Sequence, residues 1–167
     1  MPIYFFDTSA LKHRYVTTPQ RRRVRKVTSD PNSSCYICDW TIVEIASALG
    51  DHCRGNRLGV KKFDQMDREF FEDLASGKLK VRRTSTRGMM QARSVLRKGV
   101  AIHRNVGSAD ALIASCCREL ALEQKTRVVF YTADWGLYSV LREIGSFTSV
   151  MTLRYILSPK NGIPAET

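Results

Sequence analysis

The chain has 167 residues, 43% of them hydrophobic and 26% charged, with a mean hydropathy of −0.26, a length and balance that suit one folded domain and exclude a disordered chain, a collagen-like repeat or a coiled-coil rod. No uncharged apolar run approaches the ~18 residues that a membrane span needs, and the apolar start Pro2–Phe6 is cut short by Asp7 without a basic leader, so neither an integral membrane protein nor a signal peptide is expected. Lysine and arginine number 27 against 16 acidic residues, a formal charge of +11, which points to a phosphate-rich partner or, more plainly, to solubility.

In chain order, Ile3–Phe6 is a short apolar run ending in Asp7-Thr8-Ser9, the pattern of a parallel strand buried on both faces. Residues 17 to 32 read as a basic, proline-bracketed loop or short helical insertion. Cys35 to Cys38 is a second short strand, and because residues three apart in a strand face opposite sides, its two thiols diverge and a zinc site with His52 and Cys53 is not expected. The five cysteines, an odd number with Cys116 and Cys117 adjacent, argue against a disulfide framework and for a reducing cytoplasm. Thr41 to Leu49 has helical spacing, with Glu44 interrupting its apolar residues; Leu79 to Val81 is a strand candidate.

Farther along, Met89, Ala92, Leu96, Val100 and His103 form a core-facing helical stripe, beside which Arg93, Arg97 and Arg104 project from one face. Ser108 to Leu122 is a helix with Ser108 as N-cap and Leu112, Ile113, Cys116, Cys117 and Leu120 on its apolar side. Val128 to Tyr131 repeats the buried-strand pattern and ends in Thr132-Ala133-Asp134; Val150 to Leu153 is the last strand candidate. Strands alternating with helices predict an α/β domain over residues 1–158, with a parallel sheet, right-handed crossovers and a loose tail over 159–167. Ligands of such sheets gather beyond the carboxyl ends of the strands, where Asp7 and Asp134 fall.

Charge is polarised along the chain. Thr8 to Ser29 holds seven basic residues and no acid, Leu74 to Ala109 holds nine and no acid, and the remainder carries 11 basic and 16 acidic residues. Arg14, Arg21, Arg22, Arg23, Arg25 and Lys26 in the first stretch, with Arg93, Arg97 and Arg104 in the second, suit a surface that tracks a nucleic-acid backbone; the first run also reads as a localisation signal or a solvated loop. Four acids occupy improbable places: Asp7 and Asp134 at strand ends, Glu44 inside an apolar helix, and Asp110 opening Ala109-Asp110-Ala111-Leu112-Ile113. Asp110 alone is equally read as complementing a helix dipole. If the four converge, only a cation neutralises all of them, and oxygen-only ligation favours Mg²⁺ or Mn²⁺. With phosphate as partner, that means metal-assisted phosphodiester hydrolysis, the alternative being a nucleic-acid-binding module without turnover. No glycine-rich phosphate loop supports nucleotide hydrolysis, and a haloacid dehalogenase-like phosphotransferase needs an Asp where Ser9 stands.

The sequence Tyr4-Phe5-Phe6-Asp7-Thr8-Ser9-Ala10-Leu11, then Glu44, then Ala109-Asp110-Ala111-Leu112-Ile113-Ala114, then Val129-Phe130-Tyr131-Thr132-Ala133-Asp134 resembles the PIN-domain ribonucleases, particularly VapC-type toxins of toxin–antitoxin systems, over residues 3 to 155. The resemblance implies a three-layer α/β/α sandwich and an endoribonuclease using Mg²⁺ or Mn²⁺. It maps the acidic site onto Asp7, Glu44, Asp110 and Asp134, with Ser9 and Thr132 as supporting hydroxyls. It further implies a cognate antitoxin whose C-terminal part covers the acidic pocket, and a toxin that pairs as a homodimer. The Arg-rich stretch after Tyr15 exceeds the minimal pattern and leaves room for a PIN nuclease of RNA processing. Trp135 and Tyr138, just beyond the acids, are candidates to stack a base or to fill the core.

Overall fold

A computed structural model describes residues 1–157 of the chain; the expected tail over 159–167 lies outside the described residues. Five parallel strands, β1 (Ile3–Phe6), β2 (Ser34–Cys38), β3 (Lys80–Arg82), β4 (Val128–Thr132) and β5 (Met151–Tyr155), form one sheet in the order β3-β2-β1-β4-β5. In register, Ile3 lies opposite both Ser34 and Val128, and Thr132 opposite Tyr155. The period of two along each strand divides the core. Phe6, Cys35, Ile37 and Tyr131 enter one apolar cluster, while Phe5, Cys38, Val128 and Phe130 enter the other. A buried parallel strand needs apolar residues on both faces, which is why β1 and β4 read as unbroken apolar runs.

Helices α1 (Thr8–Leu11), α2 (Arg21–Thr28), α3 (Asp39–Gly55) and α4 (Val60–Ala75) cover the first face. Helices α5 (Thr86–Ala101), α6 (Ser108–Glu123), α7 (Trp135–Arg142) and α8 (Gly145–Thr148) cover the second. The chain therefore forms three α/β/α layers, with strand order reversing between β1 and β4. Among the described residues, no helix is long and apolar enough to cross a membrane.

Several local expectations need correction. The basic insertion is mostly the helix α2, seated by buried Val24 and Thr28. The N-cap of α6 is Gly107; Ser108 is the first helical residue. The buried face of α5 is Gly88, Ala92, Val95 and Gly99, whereas Met89 and Val100 are exposed. Glycines occupy that face because α5 lies tight against its surroundings: a Cβ on Gly88 would stand 2.8 Å from Glu119 Oε2, and one on Gly99 2.9 Å from the Arg104 carbonyl. His103 and Arg104 lie past the end of α5, His103 with a φ of 54°, so Arg104 leaves the face shared by Arg93 and Arg97. Cys35 and Cys38 do point to opposite faces of the sheet.

Candidate active site

The carboxyl ends of β1 and β4, where strand order reverses, each release their chain into a helix. Asp7 is the residue between β1 and α1, fully buried, and Asp134 N-caps α7 by accepting a hydrogen bond from Leu137 N at 2.8 Å. Thr132 Oγ1 donates to Asp7 Oδ2 at 2.8 Å and Ser9 Oγ donates to the same oxygen at 2.5 Å. Both hydroxyls also accept from backbone, Ser9 Oγ from Ala133 N at 2.8 Å and Thr132 Oγ1 from Asp134 N at 2.9 Å. The hydroxyls thus tie the end of β1 to the end of β4 and hold one Asp7 oxygen in place. The other oxygen, Oδ1, is buried without a hydrogen-bond partner.

Glu44 comes from the second turn of α3 and accepts a hydrogen bond from Thr8 Oγ1 at 2.7 Å. Thr8 was not foreseen as a site residue; its signal was a hydroxyl directly after a strand-ending acid. Asp110, in the first turn of α6, accepts from Gly107 N at 3.2 Å. A side chain at position 107 would crowd it, since a Cβ there lies 2.7 Å from Asp110 Oδ2.

Electrostatics link these acids across the chain. Burial pushes Asp7 up to about 6 against the pull of the Ser9 and Thr132 hydrogen bonds, and the charges of Glu44 and Asp134 add to the rise. Burial likewise pushes Asp110 up to about 7, with Asp7, Asp134 and Glu44 adding their charges against the Gly107 hydrogen bond. As they stand, no three His, Cys, Asp or Glu side chains among the described residues form a ready metal-ligand group. Each acid is instead anchored to its own hydroxyl or backbone N–H. The donors nonetheless suit a hard cation in kind: all are carboxylates, and the buried Asp7 Oδ1 has an unmet need that a cation would satisfy.

The basic candidates separate into two groups. Arg14 is buried, its guanidinium bound to Asp73 of α4 through Nε and, at 2.8 Å, through Nη2, with Nη1 donating to Thr28 Oγ1 at 2.5 Å. It is a structural residue and leaves the nucleic-acid set. Arg25 is exposed but committed to Glu69 at 3.0 Å and to the Arg14 carbonyl at 3.0 Å, and Arg21 buries its Nε. Arg22, Arg23, Lys26, Arg93, Arg97 and Arg104 are exposed. Tyr138 lies in the core, whereas Trp135 is partly exposed.

No protein-family model matches the chain, and no curated protein matches it. Its architecture does match solved structures. A chain of the crystal structure of VapBC2 from Rickettsia felis, bound to a DNA fragment from their promoter, gives a TM-score of 0.58 at 14% identity over 90% of this chain and 98% of that one. A chain of FitAB bound to an IR36 DNA fragment gives 0.59 at 14% identity over 95% and 99%. At that identity the likeness speaks for a shared fold, and it extends over nearly the whole of each chain.

Proposed function

We propose that this chain is a metal-dependent endoribonuclease of PIN type and the toxin component of a two-component system of the VapBC kind. One observation carries the nuclease reading. Asp7 and Asp134 stand at the neighbouring carboxyl ends of β1 and β4, where strand order reverses, and Asp7 and Asp110, raised first by burial, are raised further by the charges of Glu44 and Asp134, which supports a shared acidic site. The fold shared with chains of the VapBC2 and FitAB complexes supports the second half of the proposal.

Asp7, Glu44, Asp110 and Asp134 would hold Mg²⁺ or Mn²⁺, which when bound supplies charge neutralisation, polarises a phosphoryl oxygen and lowers the pKa of water. The chain's own residues do the rest. Ser9 and Thr132 fix one oxygen of Asp7 and leave Oδ1 for the cation, and Thr8 fixes Glu44. Asp110 is held by Gly107 N at the start of α6, which sets its carboxylate toward the other acids. The N-termini of α6 and α7 stand at the anionic centre and favour the incoming phosphate. The exposed arginines bind the RNA backbone without regard to sequence. A cognate antitoxin covering the acids, a homodimer and a cytoplasmic location belong to the same reading.

A non-catalytic RNA- or DNA-binding module is the second reading. It is favoured by Asp110 and Asp134 both accepting from helix N-terminal N–H groups, a role that needs no cation. Incubating the purified chain with RNA separates the two. The nuclease cleaves with Mn²⁺ or Mg²⁺, stops with EDTA, and loses cleavage but not binding in Asp7→Asn. Binding without cleavage under every metal condition would leave only the module.

A further inference from the structure

Three aromatic rings meet beside the acids. Trp135 follows Asp134 directly, stacks on Tyr138 with centroids 5.3 Å apart and planes inclined by 29°, and meets Tyr155 of β5 edge-on at 5.3 Å. Tyr138 is the buried floor of this group; Trp135 and Tyr155 are partly exposed. The Arg142 guanidinium lies 5.8 Å over the Tyr138 ring.

Hydrogen bonds set the group against the site. Asp134 caps the helix that begins with Trp135, and β5 pairs Tyr155 with Thr132, whose hydroxyl holds Asp7. Burial raises the Tyr155 phenol above its ordinary value, and the Asp134 charge adds to the rise, which marks their proximity. From the other side, the Asn105 carbonyl stands where a Cβ on Gly136 would meet it at 2.7 Å. That contact brings the α5–α6 loop, with exposed Arg104, to the same corner.

We propose that Trp135, braced by Tyr138 and Tyr155, is a stacking platform for an unpaired base next to the scissile phosphate. This assignment rests on the nuclease reading above. Every base has a π face, so stacking on an aromatic ring tolerates sequence, whereas a base inside a duplex is already stacked and does not reach the platform. Bracing from two sides holds the indole in one orientation before substrate arrives, which reduces the ordering cost of binding. Arg104, on the adjoining loop, supplies positive charge for the neighbouring phosphate.

Trp40 and Trp135 are the two tryptophans of the chain, so Trp40→Phe leaves Trp135 as sole reporter. In the full chain carrying Trp40→Phe and Asp7→Asn, titration with a single-stranded oligouridylate is expected to quench Trp135 emission, while an RNA duplex of equal length leaves it nearly unchanged. Trp135→Ala in the Asp7→Asn chain weakens single-strand binding about ten-fold, and Trp135→Phe restores most of the loss, with circular dichroism confirming the fold. If the alanine variant does not fold, the quenching titration decides alone. Absence of single-strand binding, binding without quenching, equal quenching by duplex, or unchanged affinity in a folded Trp135→Ala overturns the platform. Quenching together with an inactive wild-type chain under all metals would retain the platform and remove the nuclease; cleavage without quenching does the reverse.

Discussion

Asp7 and Asp73 are both buried aspartates, 0% and 4% exposed, and the molecule treats them in opposite ways. Asp73 receives the Arg14 guanidinium through two nitrogens and the Tyr15 hydroxyl at 3.0 Å, with Lys78 Nζ 3.4 Å away. Burial works to raise it, but the Arg14 hydrogen bonds and charge prevail and hold it below the usual carboxylate range. Asp7 receives hydroxyls and no cationic side chain, and burial, with the charges of Glu44 and Asp134 adding to it, pushes it up to about 6. A buried acid matched by arginine is a structural joint, here clamping α4 to the segment after α1. One surrounded by other acids is held at a cost that only an added proton or cation relieves.

The largest effect expected from this contrast lies at the joint. Arg14→Ala strands the Asp73 charge in the interior and should cost ~3–5 kcal/mol, lowering the urea midpoint enough to leave the chain partly unfolded at 37 °C. Arg14→Lys keeps the charge but loses the forked contact, so it should recover only part of that loss. An Arg14→Ala chain as stable as wild type would erase the distinction between the two aspartates.

The acid site should respond to pH with the opposite sign. Asp7 and Asp110 have folded pKa values raised from 3.8 to about 6 and about 7, so their contribution is fully present below pH 3.8 and is lost as pH rises through 6 to 7. Asp73, with its folded pKa lowered, contributes above pH 3.8 and loses that contribution as pH falls through its folded value. Melting of the metal-free chain between pH 4 and 7 should therefore show a decline that Asp7→Asn reduces. From the Asp7 shift, 3.8 to about 6, the decline amounts to ~3 kcal/mol at about 1.4 kcal/mol per unit. Millimolar Mn²⁺ should restore stability at pH 7.5 in the wild type, by about 2.7 kcal/mol at a hundred-fold excess over Kd, and far less in Asp7→Asn. A flat pH profile with no Mn²⁺ shift would remove the strain assigned to the acids.

What was readable in the residues follows from distance along the chain. The ends of β1 and β4 were legible because Asp7 and Asp134 each interrupt an apolar run locally, and Glu44 and Asp110 stood out for the same reason. The role of Arg14 was not, since its partner lies 59 residues away and a basic run looks the same whether solvated or paired. The glycines Gly88 and Gly99 defeated the stripe read on α5: a search for large apolar residues passes over the face that packs most closely. Helix α4 carried a signal in Phe63, Met66, Phe70 and Leu74 at three- and four-residue spacing, but its many charges obscured it. How the acids are anchored, through Thr8, Gly107 N and Leu137 N, depends on tertiary placement or on backbone geometry.

The smallest effects should fall on the exposed arginines, where the contrast with Arg14 is sharpest. Arg22 on α2 and Arg97 on α5 are both exposed, so Arg22→Ala and Arg97→Ala should each change stability by no more than ~0.5 kcal/mol. If they neutralise phosphates, each substitution should weaken RNA binding by a similar factor for all sequences and reduce the slope of log K against log salt by about 1. A stability loss comparable to that of Arg14→Ala would place them in buried pairs. A sequence-dependent loss of binding would mean that they read bases. Arg14→Ala should instead lower stability while the folded fraction keeps the wild-type salt slope, because its charge is spent inside the protein on Asp73 and is not available to RNA.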